Sequence, residues 1–204
     1  MKNSNRFLVP FSYLFHPLFI PLMGTLLYLW ISPNPFSRLQ VLYVCLQVSL
    51  LTILIPIVFY FWLKSMGNAD SVMLEKSYQR KIPLLLGCAL LYLLGNTSIT
   101  ANQLPELHYF IWGGMISNGL AFLYLFMRVK ASLHLLGTSA LCVFVMGLSL
   151  HHQVDLTSLI AGLLLLNGLV ASSRLALRAH TYTELAVGFG LGAIPQLALW
   201  WIWL

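Results

Sequence analysis

The chain has 204 residues, of which 59% are hydrophobic and only 8% charged, with a formal net charge of +6. A soluble globular domain is about a quarter charged, so these proportions exclude one. They also leave too few basic side chains, too widely spread, for a nucleic-acid-binding surface.

Long apolar runs separated by short polar breaks predict one integral membrane domain over residues 1–204, an all-α polytopic bundle of about seven transmembrane helices. The runs fall at about 11–31, 40–64, 83–100, 107–128, 134–150, 156–172 and 184–203. The basic start, MKNSNRF, leads into apolar sequence that continues to about Ile31 without a small-residue cleavage site, and reads as a retained first span rather than a signal peptide. The connections carry turn formers: Ser32-Pro33-Asn34-Pro35, Gly67-Asn68-Ala69-Asp70, Thr100-Ala101-Asn102 before Pro105, and His151-His152-Gln153 before Asp155. Cys45, Cys88 and Cys142 stand alone within apolar runs, without metal-ligand or redox spacing, and read as small buried hydrophobes.

With seven spans, all the Lys and Arg residues except Arg38 fall on one side of the membrane. The positive-inside rule makes that side cytoplasmic. Three polar segments share this side: 75–83, 130–134 and 173–184. Together they offer cations (Lys76, Arg80, Lys81, Lys130, Arg174), a hydroxyl (Ser132), two histidines (His134, His180) and one carboxylate (Glu184). That set suits a phosphate ester. Cations and hydroxyls hold the non-bridging oxygens, one histidine attacks phosphorus, and the other protonates the leaving oxygen.

Ser173-Arg174, five residues, then His180 and Glu184 resembles the third signature of the type-2 phosphatidic acid phosphatase family, Ser-Arg-x5-His-x3-Asp. Ala131-Ser132-Leu133-His134 resembles its second signature, Pro-Ser-Gly-His. Glu184 stands where the family has Asp, and Ala131 and Leu133 replace Pro and Gly. The first signature, Lys-x6-Arg-Pro, is represented only by Lys76, Arg80 and Lys81 ahead of Pro83. The resemblance covers roughly residues 75–188, and with the general style of the chain it implies a short bacterial-type member in the inner membrane of the cell. It implies a membrane phosphatase of the haloperoxidase-related superfamily, working without a metal or other cofactor on a membrane lipid such as phosphatidic acid, phosphatidylglycerol phosphate or an isoprenyl diphosphate. By the same resemblance His180 is the nucleophile that forms a phosphohistidine, His134 the general acid and Glu184 the residue that orients His180. Ser132, Arg174, Lys76, Arg80, Lys81 and Lys130 bind phosphate oxygens. The alternative is a catalytically inactive relative, a small lipid-binding or transport membrane protein that keeps the anion cradle.

The remaining polar residues carry ordinary readings. His151-His152 with Asp155 reads as a turn on the opposite face, about 30 Å from His180 across the hydrocarbon core, rather than as a metal site. His16 and His108 read as interfacial or packing residues. Trp200, Trp201 and Trp203 read as an aromatic belt.

Overall fold

The computed structural model describes residues 10–67 and 77–204. Every regular element among them is helical: α1 (Ile20–Ile31), α2 (Arg38–Ser65), α3 (Lys81–Thr97), α4 (Pro105–Phe126), α5 (Leu133–His152), α6 (Thr157–Ala176) and α7 (Tyr182–Trp203). Five of these, α2 and α4 to α7, are long and apolar enough to cross a membrane; Pro17–Ile31 and Lys81–Thr97 are apolar but shorter. The described residues thus form an all-helical bundle of the kind a multi-pass membrane protein requires.

The expected first span, 11–31, is broken in two. A helical turn at 10–14 stops at His16, and the chain restarts through a 3-10 turn, Pro17–Phe19, into α1. The cause is Pro17: the residue before a proline is pushed out of the helical region, and His16 accordingly sits at φ −65°, ψ 141°. Helix α2 widens into a π-turn at Leu50–Leu54, one turn ahead of Pro56. Proline has no N–H to give the ladder, and such irregular turns absorb the mismatch.

The pattern of exposure is that of a bundle in lipid. Trp30, Leu39, Phe61 and Trp201 point outward, whereas Thr25, Ser117, Thr138, Asn167 and Gln196 are buried between helices. Helix α5 is the axis, buried over most of its length and packed against α1, α4, α6 and α7. Its contacts with α6 and α7 use polar side chains and small residues, which hold helices together where the solvent is as apolar as the core. The Thr138 hydroxyl donates to Asn167 Oδ1 at 2.8 Å, joining α5 to α6. Ser139 Oγ donates to the Phe189 carbonyl at 2.9 Å, joining α5 to α7.

Two glycines bring α7 hard against α5. A Cβ on Gly188 would lie 2.5 Å from the Ser132 carbonyl oxygen, and one on Gly192 would overlap the Leu136 carbonyl. Any side chain at either position forces the backbones apart. The Gly-x-x-x-Gly spacing 188–192 therefore sets how closely α7 approaches the start of α5.

Candidate active site

The site grows from the helix ends gathered at one end of the bundle. Helices α3, α5 and α7 begin there, and α4 and α6 end there. The starts of α5 and α7 place the partial positive charge of helix N-termini at this end, which favours an anion. The two loops that complete it leave α4 and α6 in the same way. Arg128 (φ 60°) and Arg178 (φ 52°) are left-handed, and the following N–H groups, of Val129 and Ala179, reach back to the carbonyls of Tyr124 and Arg174 at 3.1 and 3.0 Å. These reverse hydrogen bonds turn the chain sharply at a helix C-terminus and aim Lys130–Ser132 and Ala179–His180 into the same space.

His180 is not on a helix. It stands just ahead of Thr181, the N-cap of α7, in a capping box in which the Thr181 hydroxyl accepts from the Glu184 N–H and Glu184 reaches back to the Thr181 N–H. The same carboxylate oxygen, Glu184 Oε2, lies 3.0 Å from Thr181 N and 3.0 Å from His180 Nδ1. The expected His180–Glu184 pair therefore forms by the carboxylate folding back over the helix start, not by two side chains stacked on one helical face. An ionised carboxylate only accepts, so Nδ1 carries the proton and Nε2 keeps its lone pair. Nε2 is buried and makes no hydrogen bond. Burial is the largest influence on this imidazole, followed by the positive charge of Arg80. Together with Lys130 and Arg174 they outweigh Glu184 and bring the pKa down to about 4, so the ring is neutral near pH 7.

The other expected residues divide clearly. Ser132 is fully buried, its N–H donates to the Glu184 carbonyl at 3.1 Å, and its hydroxyl has no hydrogen-bond partner. Arg80, 4% exposed, spans from the start of α3 to donate to the Ala131 carbonyl at 3.0 Å. Lys130 Nζ donates to the Ala179 carbonyl at 3.2 Å, tying the two loops together. Arg174 is 2% exposed in the last turn of α6, within electrostatic reach of both His134 and His180. Lys81 points the other way: it is exposed, with its ammonium 5.2 Å above the Phe126 ring, and does not join the cluster. Lys76 lies outside the described residues.

His134 opens α5, nearly buried, with Nε2 2.9 Å from the Ser12 carbonyl. Ser12 is fully buried and its hydroxyl lies 2.7 Å from that of Ser173. Ser173 of the third segment thus anchors the turn at 10–14 over the site. The His16 ring meets His134 edge-on, centroids 5.3 Å apart. Sequence reasoning placed neither Ser12 nor His16 here. The His16-Pro17 break was the available signal, because it marks where the chain folds back.

A cavity of about 240 Å³ opens from this cluster into the bundle. His16, Arg80 and His134 stand at its polar end, and Leu91, Phe110, Ile111 and Ala140 line its deeper part. Its wall on the α2 side includes Thr52, Pro56 and Tyr60, in and just beyond the π-turn. From Pro83 to Leu91, both on its wall, is roughly 12 Å at 1.5 Å per helical residue, a depth suited to part of a lipid tail.

Comparisons of the chain with protein-family models, with curated proteins and with solved structures find no match.

Proposed function

We propose that the protein is an integral membrane phosphatase that hydrolyses a lipid phosphate or diphosphate without a metal ion, with the chain crossing the bilayer seven times and α1 and α3 as its short spans. The observation that carries this reading is the state of His180. Its Nδ1 is held by Glu184, and its Nε2 is buried and unpartnered among Arg80, Lys130 and Arg174. A neutral imidazole oriented by a carboxylate amid cations is the arrangement an attack on a phosphoryl group needs. The apolar cavity that opens beside Arg80 and His134 suits a substrate whose phosphate sits in the cluster while its tail stays in hydrocarbon.

In this mechanism the His180 Nε2 lone pair forms a bond to phosphorus as the bond from phosphorus to the lipid oxygen breaks. His134, charged once the phosphate's negative charge is bound beside it, protonates the departing alkoxide. Water then attacks the phosphohistidine, gives its proton to the now neutral His134, and releases inorganic phosphate with His180 restored. Arg80, Arg174, Lys130 and Ser132 hold the non-bridging oxygens, with the N-terminus of α5 adding to the positive field.

One observation favours a second reading, a catalytically inactive lipid-binding or transport relative: His134 Nε2 is engaged by the Ser12 carbonyl, which a substrate must displace. Purified protein assayed with phosphatidic acid, phosphatidylglycerol phosphate and an isoprenyl diphosphate in the presence of a chelator separates the two. Phosphate release that His180→Ala abolishes supports the phosphatase. Binding of these lipids with no release by the wild type supports the second reading and refutes the first.

A further inference from the structure

At the other end of α5 lies a cluster that the phosphatase reading does not use. Glu106, in the first turn of α4, is 4% exposed, and His151 and His152 close α5 beside it. Glu106 Oε1 stands 3.3 Å from His151 Nε2 and 3.7 Å from His152 Nε2, and one donor atom from each of the three residues lies within 4.8 Å of the others. The second oxygen, Oε2, accepts from the hydroxyl of fully buried Tyr28 at 2.9 Å. Asp155 is occupied elsewhere, accepting from the Thr157 N–H at 3.0 Å, so the acidic partner of the two histidines is Glu106.

We propose that Glu106, His151 and His152 form a binding site for a divalent transition-metal ion of the zinc class, with water completing its coordination. Two imidazoles and one carboxylate are the donor set such ions take, and a tetrahedral ion with bonds of about 2.0–2.1 Å places its ligand atoms roughly 3.3 Å apart. Both Glu106–histidine separations already lie near that value. A simple ion pair leaves the arrangement unexplained. His152 Nε2 is buried and has no hydrogen-bond partner, on a side chain 8% exposed, and a buried orphan polar atom is costly. A cation between the three groups satisfies it. The Tyr28 hydroxyl turns the carboxylate so that its other oxygen faces both imidazoles, the outer support that metal-binding carboxylates ordinarily have. The His151 side chain is 34% exposed, which leaves an approach for the ion and its water.

The site joins α1, α4 and α5 and lies 18 residues along α5 from His134, about 27 Å, so its ion takes no part in phosphoryl transfer. The full-length protein in detergent, stripped with a chelator and dialysed, is titrated with Co(II). The wild type binds one Co(II) per chain with the visible ligand-field bands of a four-coordinate centre, and Zn(II) displaces it and raises the melting temperature. Tyr28→Phe weakens Co(II) binding about 10-fold to 100-fold, and Glu106→Gln and His152→Ala weaken it further. A wild type without a stoichiometric Co(II) spectrum overturns the proposal, whether or not the variants fold. So does a spectrum that survives unchanged in both Glu106→Gln and His152→Ala.

Discussion

Glu184 and His180 are joined through one oxygen atom: Oε2 accepts from His180 Nδ1 at 3.0 Å while it caps α7 through the Thr181 N–H, also at 3.0 Å. Folding of the helix start and orientation of the imidazole are therefore one event. In the proposed reaction Glu184 acts as a positioning residue, and its two duties separate by substitution. Glu184→Gln keeps an acceptor for the cap but loses the charge, and phosphate release is expected to fall by about 10²-fold with little change in melting temperature. Glu184→Ala is expected to lose the activity and also about 1 kcal/mol of stability through the broken capping box. A Gln variant at the wild-type rate contradicts the orienting role.

Acidification should expose the depressed pKa of His180. Its folded value of about 4 lies below the ordinary value of about 6.5 for an unfolded histidine. Between those values the unfolded chain binds a proton that the folded chain does not, so stability rises with pH across the window. The contribution is whole above about pH 6.5 and is lost as the pH falls towards 4. Melting temperatures between pH 7 and 4 should fall more steeply for the wild type than for His180→Asn. Parallel profiles for the two proteins would show that His180 is not held neutral.

Arg80 and Lys81 are neighbours with opposite fates. Arg80 reaches the Ala131 carbonyl inside the cluster, and Lys81 lies over Phe126 on the outside. Arg80→Leu is expected to reduce the rate by about 10²–10³-fold, the scale of a lost oxyanion partner. Lys81→Leu is expected to change it less than about 3-fold, as for an exposed charge. Steady-state kinetics on the two variants decide the matter, and a larger loss from Lys81→Leu contradicts the orientation described.

Hydropathy made most of the helices legible. The runs at 107–128, 134–150, 156–172 and 184–203 fall on α4 to α7 with boundaries shifted by at most four residues, because a continuous apolar stretch has few other ways to satisfy its backbone in lipid. The motif residues His134, His180, Glu184, Ser132 and Arg174 come together as their spacing at helix ends suggests. What could not be read were relationships set by rotation and by helix ends. Arg80 and Lys81 look alike in sequence, and only the azimuth of α3 separates them. The left-handed turns at Arg128 and Arg178 carry no glycine to announce them. The His151-His152 pair reads as a loop until α4 delivers Glu106, 45 residues away in sequence, to its side.

Close approach of α5 and α7 should prove more sensitive than any surface change. Gly192→Ala forces a methyl group into the Leu136 carbonyl, and about 1–3 kcal/mol of destabilisation is expected, typical of overpacking. Gly168→Ala on α6 meets nothing within 4 Å and serves as the control, with no loss of stability. Melting in detergent compares them, and equal behaviour of the two variants contradicts the tight crossing.

The central claim is that His180 carries the phosphoryl group, and trapping it is the most direct measurement. Wild-type protein is mixed briefly with a lipid phosphate radiolabelled at phosphorus, in chelator, quenched in base and digested. Acid-labile, base-stable label is expected on the peptide containing His180, and neither label nor phosphate release with His180→Ala. Phosphate release with the label on another residue, or undiminished release by His180→Ala, would contradict it.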